Sequence, residues 1–102
     1  MSTTTNGALW RKNPILAWRE IDAEIVIVSP NDSVLHELNE TGSFVWKRLD
    51  GRRPAAEIAS SLAAEYDVRE EDALRDTETL LDELASRRLV IPADTGTTRG
   101  IE

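Results

Sequence analysis

The chain has 102 residues, of which 40% are hydrophobic and 30% charged, and its formal net charge is -7. This length and composition are those of one soluble globular domain with a single modest core. The lack of cysteine excludes disulfides, thiolate catalysis and cysteine-ligated zinc, and it fits a cytoplasmic location. The acidic balance favours neutral or basic partners over nucleic acid, in addition to favouring solubility. No segment approaches the roughly 20 apolar residues that cross a bilayer, so we expect no membrane association.

Two polar arms flank the predicted domain. Residues 1–9 are rich in Thr, Ser, Asn and Gly, and residues 92–102 have a similar composition. Such segments bury too little apolar surface to fold, so both arms are predicted to be disordered. The folded domain is therefore expected to span residues 10–91, and we expect it to be a monomer.

Three short strands are predicted in the first part of the domain. Pro14 restricts the residue before it to an extended conformation, and residues 15–21 follow as the first strand. The β-branched run at 24–28 is typical of a central strand. A turn-forming Ser-Pro-Asn-Asp sequence then precedes the third strand, residues 33–38. Short turns favour an antiparallel meander, which places the third strand at an edge of the sheet.

Two helices are predicted after the strands. Asn39 or Thr41 can cap the first helix, and Gly51 is predicted to end it in a position that prefers positive φ. Pro54 is predicted to begin the second helix, where its missing N–H costs nothing. The buried stripe of this helix has i, i+4, i+8 spacing and consists of Ile58, Leu62 and Tyr66.

The third helix is predicted over residues 70–88. Acidic residues occupy its first turn and Arg87 and Arg88 its last, and both sets favour the helix dipole. The residues of its predicted buried stripe are Leu74, Thr77, Leu81 and Leu84, with Leu80 at the edge. Residues 89–91 are β-prone and can return to the sheet. The predicted fold class is α+β: a three-stranded antiparallel sheet followed by three helices, as in winged helix-turn-helix domains.

Catalytic and metal sites find little support in the sequence. His36 is the only histidine, and it has neither a cysteine nor a second histidine with which to share a metal. Ser60 and Ser61 lie in the middle of a helix without a Gly-rich elbow. We therefore predict no catalytic residue, no metal and no cofactor.

A winged helix-turn-helix regulator that binds DNA or a protein partner is the alternative that the order of elements allows. The helix that would enter the DNA groove argues against DNA. Residues 70–88 contain seven acidic and three basic side chains, a balance of -4. Neutralising phosphates requires the opposite charge, so no nucleic acid partner is expected.

The segment after the third strand resembles a pattern of a known family. It is Leu-Asn-Glu-Thr-Gly-Ser-Phe-Val-Trp-Lys-Arg-Leu-Asp-Gly, at residues 38–51. Ala-Glu-Ile-Ala at 56–59, Tyr-Asp-Val at 66–68, the apolar spacing of 76–84 and Leu-Val at 89–90 follow in order. Together they resemble the PqqD-like family, whose members recognise leader peptides during maturation of ribosomally made peptide natural products.

The resemblance implies a three-stranded sheet followed by three helices. It also implies that the leader segment of a precursor peptide binds as an extra antiparallel strand, between the third strand and the third helix. Such a protein is a non-catalytic adaptor, which presents the precursor to a maturation enzyme such as a radical-SAM enzyme or a leader protease. The Thr41-Gly42 pair and the lack of a cysteine before Asp50 depart from pyrroloquinoline quinone proteins. The segment from Asn39 to Trp46 resembles the stand-alone and lasso-type branch more closely.

Carried onto this sequence, the resemblance gives a candidate groove wall with i, i+4, i+7, i+11 spacing on the third helix, formed by Asp76, Leu80, Glu83 and Arg87. An exposed edge strand can accept an extended peptide, which supports residues of the third strand as the other side. The residues predicted to bind the peptide are Val34, Leu35, His36, Glu37, Leu38, Asp76, Thr77, Leu80, Glu83, Leu84 and Arg87.

Overall fold

The computed structural model describes residues 9–30 and 33–93. The predictions of disorder for the two arms therefore lie outside the described residues, except at Leu9, Pro92 and Ala93. Leu9 begins the first strand and Pro92 ends the last, so the strands extend one residue beyond each end of the predicted domain. The Ala93 N–H also donates to the Leu9 carbonyl at 2.8 Å.

The described residues form six strands and three helices. The strands are β1 (Leu9–Lys12), β2 (Ala17–Ile21), β3 (Glu24–Ser29), β4 (Val34–Leu38), β5 (Asp50–Pro54) and β6 (Val90–Pro92). The helices are α1 (Glu40–Lys47), α2 (Ala55–Tyr66) and α3 (Glu70–Ser86). The predicted α+β class with an antiparallel three-stranded sheet and three helices is confirmed. Among the described residues, no helix has the length and apolar character needed to span a membrane.

The main sheet is the predicted antiparallel meander, in the order β2-β3-β4. Asp22 and Ala23 have φ values of 52° and 70°, which are those of a two-residue turn that matches the twist of a hairpin. Ile25 and Ile27 of β3 are fully buried against the helices. Their register partners on β4 are Leu38 and His36, which therefore share this inner face.

A second sheet, in the order β5-β1-β6, is absent from the sequence-based prediction. Both β5 and β6 pair antiparallel with β1. Residues 89–91 were predicted to return to the main sheet, but Val90 and Ile91 pair with β1 instead. The expectation was wrong because β1 and β5 were not predicted as strands, so the prediction contained no second sheet with which residues 89–91 could pair.

The prediction that Gly51 ends the first helix is wrong. α1 ends at Lys47, and Gly51 lies in β5 with a φ of 81°. The pairing between β1 and β5 shifts register beside it. A Cβ at this position would lie 3.2 Å from Ala93 Cβ and 3.6 Å from Arg11 Cβ. The glycine is thus used at a strand irregularity that needs positive φ.

Lys12 joins the second sheet to the main one and to the end of α1. Its Nζ donates to the Leu49 carbonyl at 3.0 Å and lies 5.5 and 5.8 Å from the ring centroids of Trp18 and Trp46. The two rings meet edge to face at 6.0 Å. Burial lowers the pKa of Lys12, while the nearby Asp50 raises it by less. The cation is held by a carbonyl and two aromatic faces rather than by an ion pair.

The core lies between the inner face of the main sheet and the three helices. α1 contributes Trp46, which is fully buried, and α2 contributes Ile58. On α3 the buried residues are Ala73, Thr77, Leu81 and Leu84, so Ala73 replaces the predicted Leu74 in the stripe. A small residue at this position allows α2 and α3 to approach closely, and it leaves Leu74 at the edge of the contact.

Candidate binding groove

A buried hydroxyl in α1 fixes the C-terminal end of β4. Ser43 Oγ accepts the Ile25 N–H at 2.7 Å and donates to the Leu38 carbonyl at 3.2 Å. Ile25 and Leu38 are register partners in the β3–β4 pair. The hydroxyl therefore bridges the backbones of the two strands, and the Ile25 N–H and the Leu38 carbonyl both point between β3 and β4.

This bridge defines which backbone groups of β4 face outward. Backbone groups of alternate residues in a strand point the same way, so His36 and Leu38 face β3. Leu35 and Glu37 then present their N–H and C=O groups to the other side. Within the part of the chain that the structure describes, no strand pairs with β4 on that side. An extended peptide can form backbone hydrogen bonds there.

A groove of about 400 Å³ lies beside this open edge, between β4 and α3. The residues that line it from β4 and the position after it are Leu35, His36, Glu37, Leu38 and Asn39. The residues that line it from the helices and from the segment after α3 are Gly42, Leu80, Glu83, Leu84, Arg87 and Leu89. The structure thus brings together eight of the predicted residues, and their role in binding stays a prediction.

A second pocket of about 270 Å³ continues the groove past the end of β4. Asp76 and Thr77, two further predicted residues, line this pocket rather than the groove. The residues shared by the two are Asn39, Gly42, Leu80 and Glu83. The second pocket also contains Thr41, Val45, Leu62 and Thr79. Val34 completes the predicted set, and it lines neither cavity.

Gly42 lies where the groove and the second pocket meet. Its N–H donates to Asn39 Oδ1 at 2.8 Å, so Asn39, one of the two predicted candidates, caps α1. A Cβ on Gly42 would lie 3.1 Å from that oxygen and 3.7 Å from Leu80 Cδ2. A side chain here would therefore crowd the helix cap and narrow the passage between the two cavities.

Charge is distributed unevenly along the α3 wall. Glu83 Oε2 and Arg87 Nη2 are 3.6 Å apart, and both side chains are more than half exposed. Asp76 has no ion pair among residues 9–30 and 33–93. In the same described ranges, no group of three or more His, Asp or Glu side chains is placed to hold a metal ion.

Sequence reasoning did not assign Asn39, Gly42 and Leu89 to the groove. Asn39 directly follows β4 and Gly42 lies three residues further on, both within the resemblance segment, so their closeness to the end of the strand was a usable signal. Leu89 reaches the groove because the chain returns after α3 to pair with β1. That position depends on the second sheet, for which the sequence carried no recognised signal.

The family model of coenzyme PQQ synthesis protein D (PqqD) matches residues 24–90, which include β4 and all of α3. No curated protein matches this chain in sequence. Among solved structures, TbiB1 in complex with the TbiA(beta) leader peptide is 26% identical, with a TM-score of 0.72. The match covers 78% of this chain and 93% of that one.

A lasso peptide synthetase B1 complexed with the leader peptide is 27% identical, with a TM-score of 0.74, and the match covers 83% of this chain and 100% of that one. The PqqD truncation of Methylobacterium extorquens PqqCD, a stand-alone recognition element, shares the fold at 24% identity and a TM-score of 0.68. Its match covers 81% of this chain and 88% of that one. The family model spans well over half of this chain, and the predicted resemblance is confirmed: the chain belongs to the PqqD family.

Proposed function

We propose that this domain binds the leader segment of a ribosomally made precursor peptide and presents it to a maturation enzyme. The observation that carries the proposal is the open edge of β4 beside the groove lined by α3. Two similar structures are complexes with leader peptides, which supports the same class of ligand here. The enzyme is a radical-SAM enzyme or a leader protease.

The peptide adds to β4 as an antiparallel strand. Its backbone pairs with the outward N–H and C=O groups of Leu35 and Glu37, which gives affinity without dependence on sequence. Alternate side chains of the added strand point into the groove, where Leu80, Leu84 and Leu89 offer apolar contact. The peptide side chains that enter the groove supply specificity, because each Å² of apolar surface that they bury contributes roughly 25 cal/mol to binding.

The proposed role is that of an adaptor and requires no catalytic group. Strand addition uses backbone hydrogen bonds and apolar burial, and no bond of the precursor changes. The partner enzyme carries out the modification or cleavage of the precursor. This assignment is tested by incubating the domain alone with a precursor peptide: we expect an unchanged peptide mass, and any modification or cleavage would contradict it.

Hydrogen exchange of backbone amides distinguishes the proposed edge from the other edge of the same sheet. On addition of a precursor peptide encoded beside this protein's gene, the amides of Leu35 and Glu37 should become protected. By the same alternation, the outward amides of β2 are those of Trp18 and Glu20, and they should exchange as before. Protection on β2 instead of β4 would contradict strand addition at the groove.

A titration with random-sequence duplex DNA tests the alternative, a winged helix-turn-helix regulator. The net charge of -4 across residues 70–88 predicts no specific complex at physiological salt. Tight binding with a steep dependence on salt would favour the regulator and reject the adaptor.

A further inference from the structure

The pocket past the end of β4 differs in chemistry from the groove that it continues. The groove is lined by His36 and Arg87 as well as by acidic groups. The second pocket is lined by the carboxylates of Asp76 and Glu83, and none of its lining residues is basic. A bound peptide would therefore meet two different environments in succession.

Thr77 supplies an independent sign that this pocket holds a polar group. Its side chain lines the pocket and is 1% exposed, and its Oγ1 has no hydrogen-bond partner in the described part of the chain. A buried hydroxyl without a partner costs free energy that a ligand donor can recover. Threonine in a helix has two accessible χ1 rotamers, so a change of rotamer can turn the hydroxyl toward a ligand.

The available carboxylate at this pocket belongs to Asp76. Asp76 is exposed and unpaired among the described residues, whereas Glu83 lies 3.6 Å from Arg87. The N-terminus of α1 also borders the pocket and would by itself favour an anion. However, the Gly42 N–H is already taken by Asn39 Oδ1. The full negative charge of Asp76 exceeds the partial positive charge of the helix N-terminus, so the pocket favours a cation.

The apolar floor of the pocket favours a cation that is carried on an apolar stem. Val45 and Leu62 are 1% and 5% exposed, and Leu80 lies beside them. The stem of a lysine or arginine is apolar and its head carries only donors. Such a side chain lays its stem on this floor and donates to Asp76 and Thr77. An aliphatic side chain would leave the Thr77 hydroxyl without a partner and the exposed Asp76 carboxylate with water alone.

We propose that this second pocket accepts a lysine or arginine side chain of the bound leader peptide. The inference rests on the proposed function, since it needs a peptide paired with β4. An antiparallel strand on β4 runs from the Leu38 end toward the Val34 end. The basic residue therefore lies N-terminal to the apolar residue that fills the groove beside Leu80 and Leu84.

Selection from random linear peptides displayed on phage tests this specificity with the full chain as bait. Wild type should enrich peptides with a basic residue N-terminal to an apolar one. Asp76→Asn should remove that basic preference and lower affinity for a selected arginine peptide roughly fivefold, because the carboxylate is exposed. Asp82→Asn makes the same change on an exposed α3 residue that lines neither cavity, and it should leave the preference intact.

Thr77→Val provides a second measurement, because it removes the unpaired hydroxyl and keeps the side-chain shape. It should raise the melting temperature or leave it unchanged, because the unpaired hydroxyl is lost, and it should lower affinity for the arginine peptide by about threefold. Peptides that compete at β4 but show no basic preference, or a preference that survives Asp76→Asn, would overturn the inference and leave the proposed function standing. A selection that enriches no peptide at all would instead overturn the proposed function.

Discussion

The two sheets of this domain differ in how far apart in the chain their paired strands lie. β2, β3 and β4 lie within residues 17–38, and each pairs with its neighbour in the chain. β5, β1 and β6 bring together the beginning, the middle and the end of the domain. The locally built sheet carries the open edge and one side of the groove. The long-range sheet holds the two ends of the described part of the chain together and positions Leu89 in the groove.

α1 connects the two sheets through opposite ends. Ser43, near its N-terminus, bridges the backbones of β3 and β4. The Leu49 carbonyl, just past its C-terminus, accepts the hydrogen bond of Lys12 from β1. Changes at the open edge should therefore reduce binding, and changes around Lys12 should reduce stability.

The largest expected effects come from proline on the edge strand, where neighbouring positions should behave differently. His36→Pro removes an N–H that faces β3, and loss of that ladder bond should lower the free energy of unfolding by about 1–3 kcal/mol. Leu35→Pro removes an N–H that faces the open side. It should lower peptide affinity about tenfold with a smaller change in stability.

Urea unfolding and calorimetric titration with the precursor peptide measure the two effects separately. Glu37→Pro serves as the matched second outward position and should behave like Leu35→Pro. Equal losses of stability at all three positions would mean that β4 is not an open edge, and the contrast between the two sheets would fail.

Truncation on α3 gives the next largest effect and tests whether the helix takes part in recognition. Leu80→Ala should cost roughly 1–3 kcal/mol of binding, because its methyl groups line both cavities. Leu74→Ala is the control, since Leu74 is likewise half-buried on α3 but lines neither cavity. If Leu80→Ala binds like the wild type while the protein stays folded, the recognition surface lies elsewhere.

The main sheet and the three helices could be predicted because their signals are local. The β-branched run at 24–28, the turn residues and the helical spacing of Ile58 and Leu62 each lie within one element. β1 and β5 are short, and their partners are distant in the chain. Gly51 illustrates the difficulty: its preference for positive φ was correctly inferred, yet a helix end and a strand irregularity require the same conformation.

The candidate site could be predicted to a similar extent. The edge position of β4 followed from strand order. The family resemblance, carried onto α3 by helical spacing, placed Leu80, Glu83 and Arg87 on one wall. The division into a groove and an acidic pocket was not predictable. It depends on the position of α1 and its cap relative to α3, which no local pattern encodes.

Removal of the Lys12 charge should affect stability rather than binding. Lys12→Met keeps the apolar stem but removes the bond to the Leu49 carbonyl and the contacts with the two tryptophan rings. Loss of the hydrogen bond and the ring contacts should outweigh the relief from burying a charge, so we expect the free energy of unfolding to fall by about 1 kcal/mol with unchanged peptide affinity. A comparable loss of affinity in a folded variant would contradict the division of roles between the sheets.

The stability difference between wild type and Lys12→Met should also depend on pH. Burial places the pKa of Lys12 in the folded protein below its ordinary value of 10.5. Between the folded pKa and 10.5, the unfolded chain holds a proton that the folded protein has released. The wild type therefore gains stability relative to Lys12→Met as pH rises toward 10.5. Urea unfolding at several alkaline pH values measures the difference, and a decrease over this window would contradict burial as the cause.

The smallest expected effect is a charge reversal at the rim of the groove. Arg87 is 54% exposed and pairs with Glu83 at 3.6 Å, so solvent screens its interactions. Arg87→Glu should shift the preference between leader peptides with acidic and basic residues near this rim by at most about 1 kcal/mol, or roughly fivefold. Arg75→Glu makes the same charge change on α3, where Arg75 pairs with Asp72 outside both cavities. Titrations at low and high salt should show the shift for Arg87→Glu alone, weaker at high salt. Equal shifts in both variants would mean that leader peptides respond to the net charge of the whole domain. The locally built sheet and α3 would then determine affinity but not the preference for charged leader peptides.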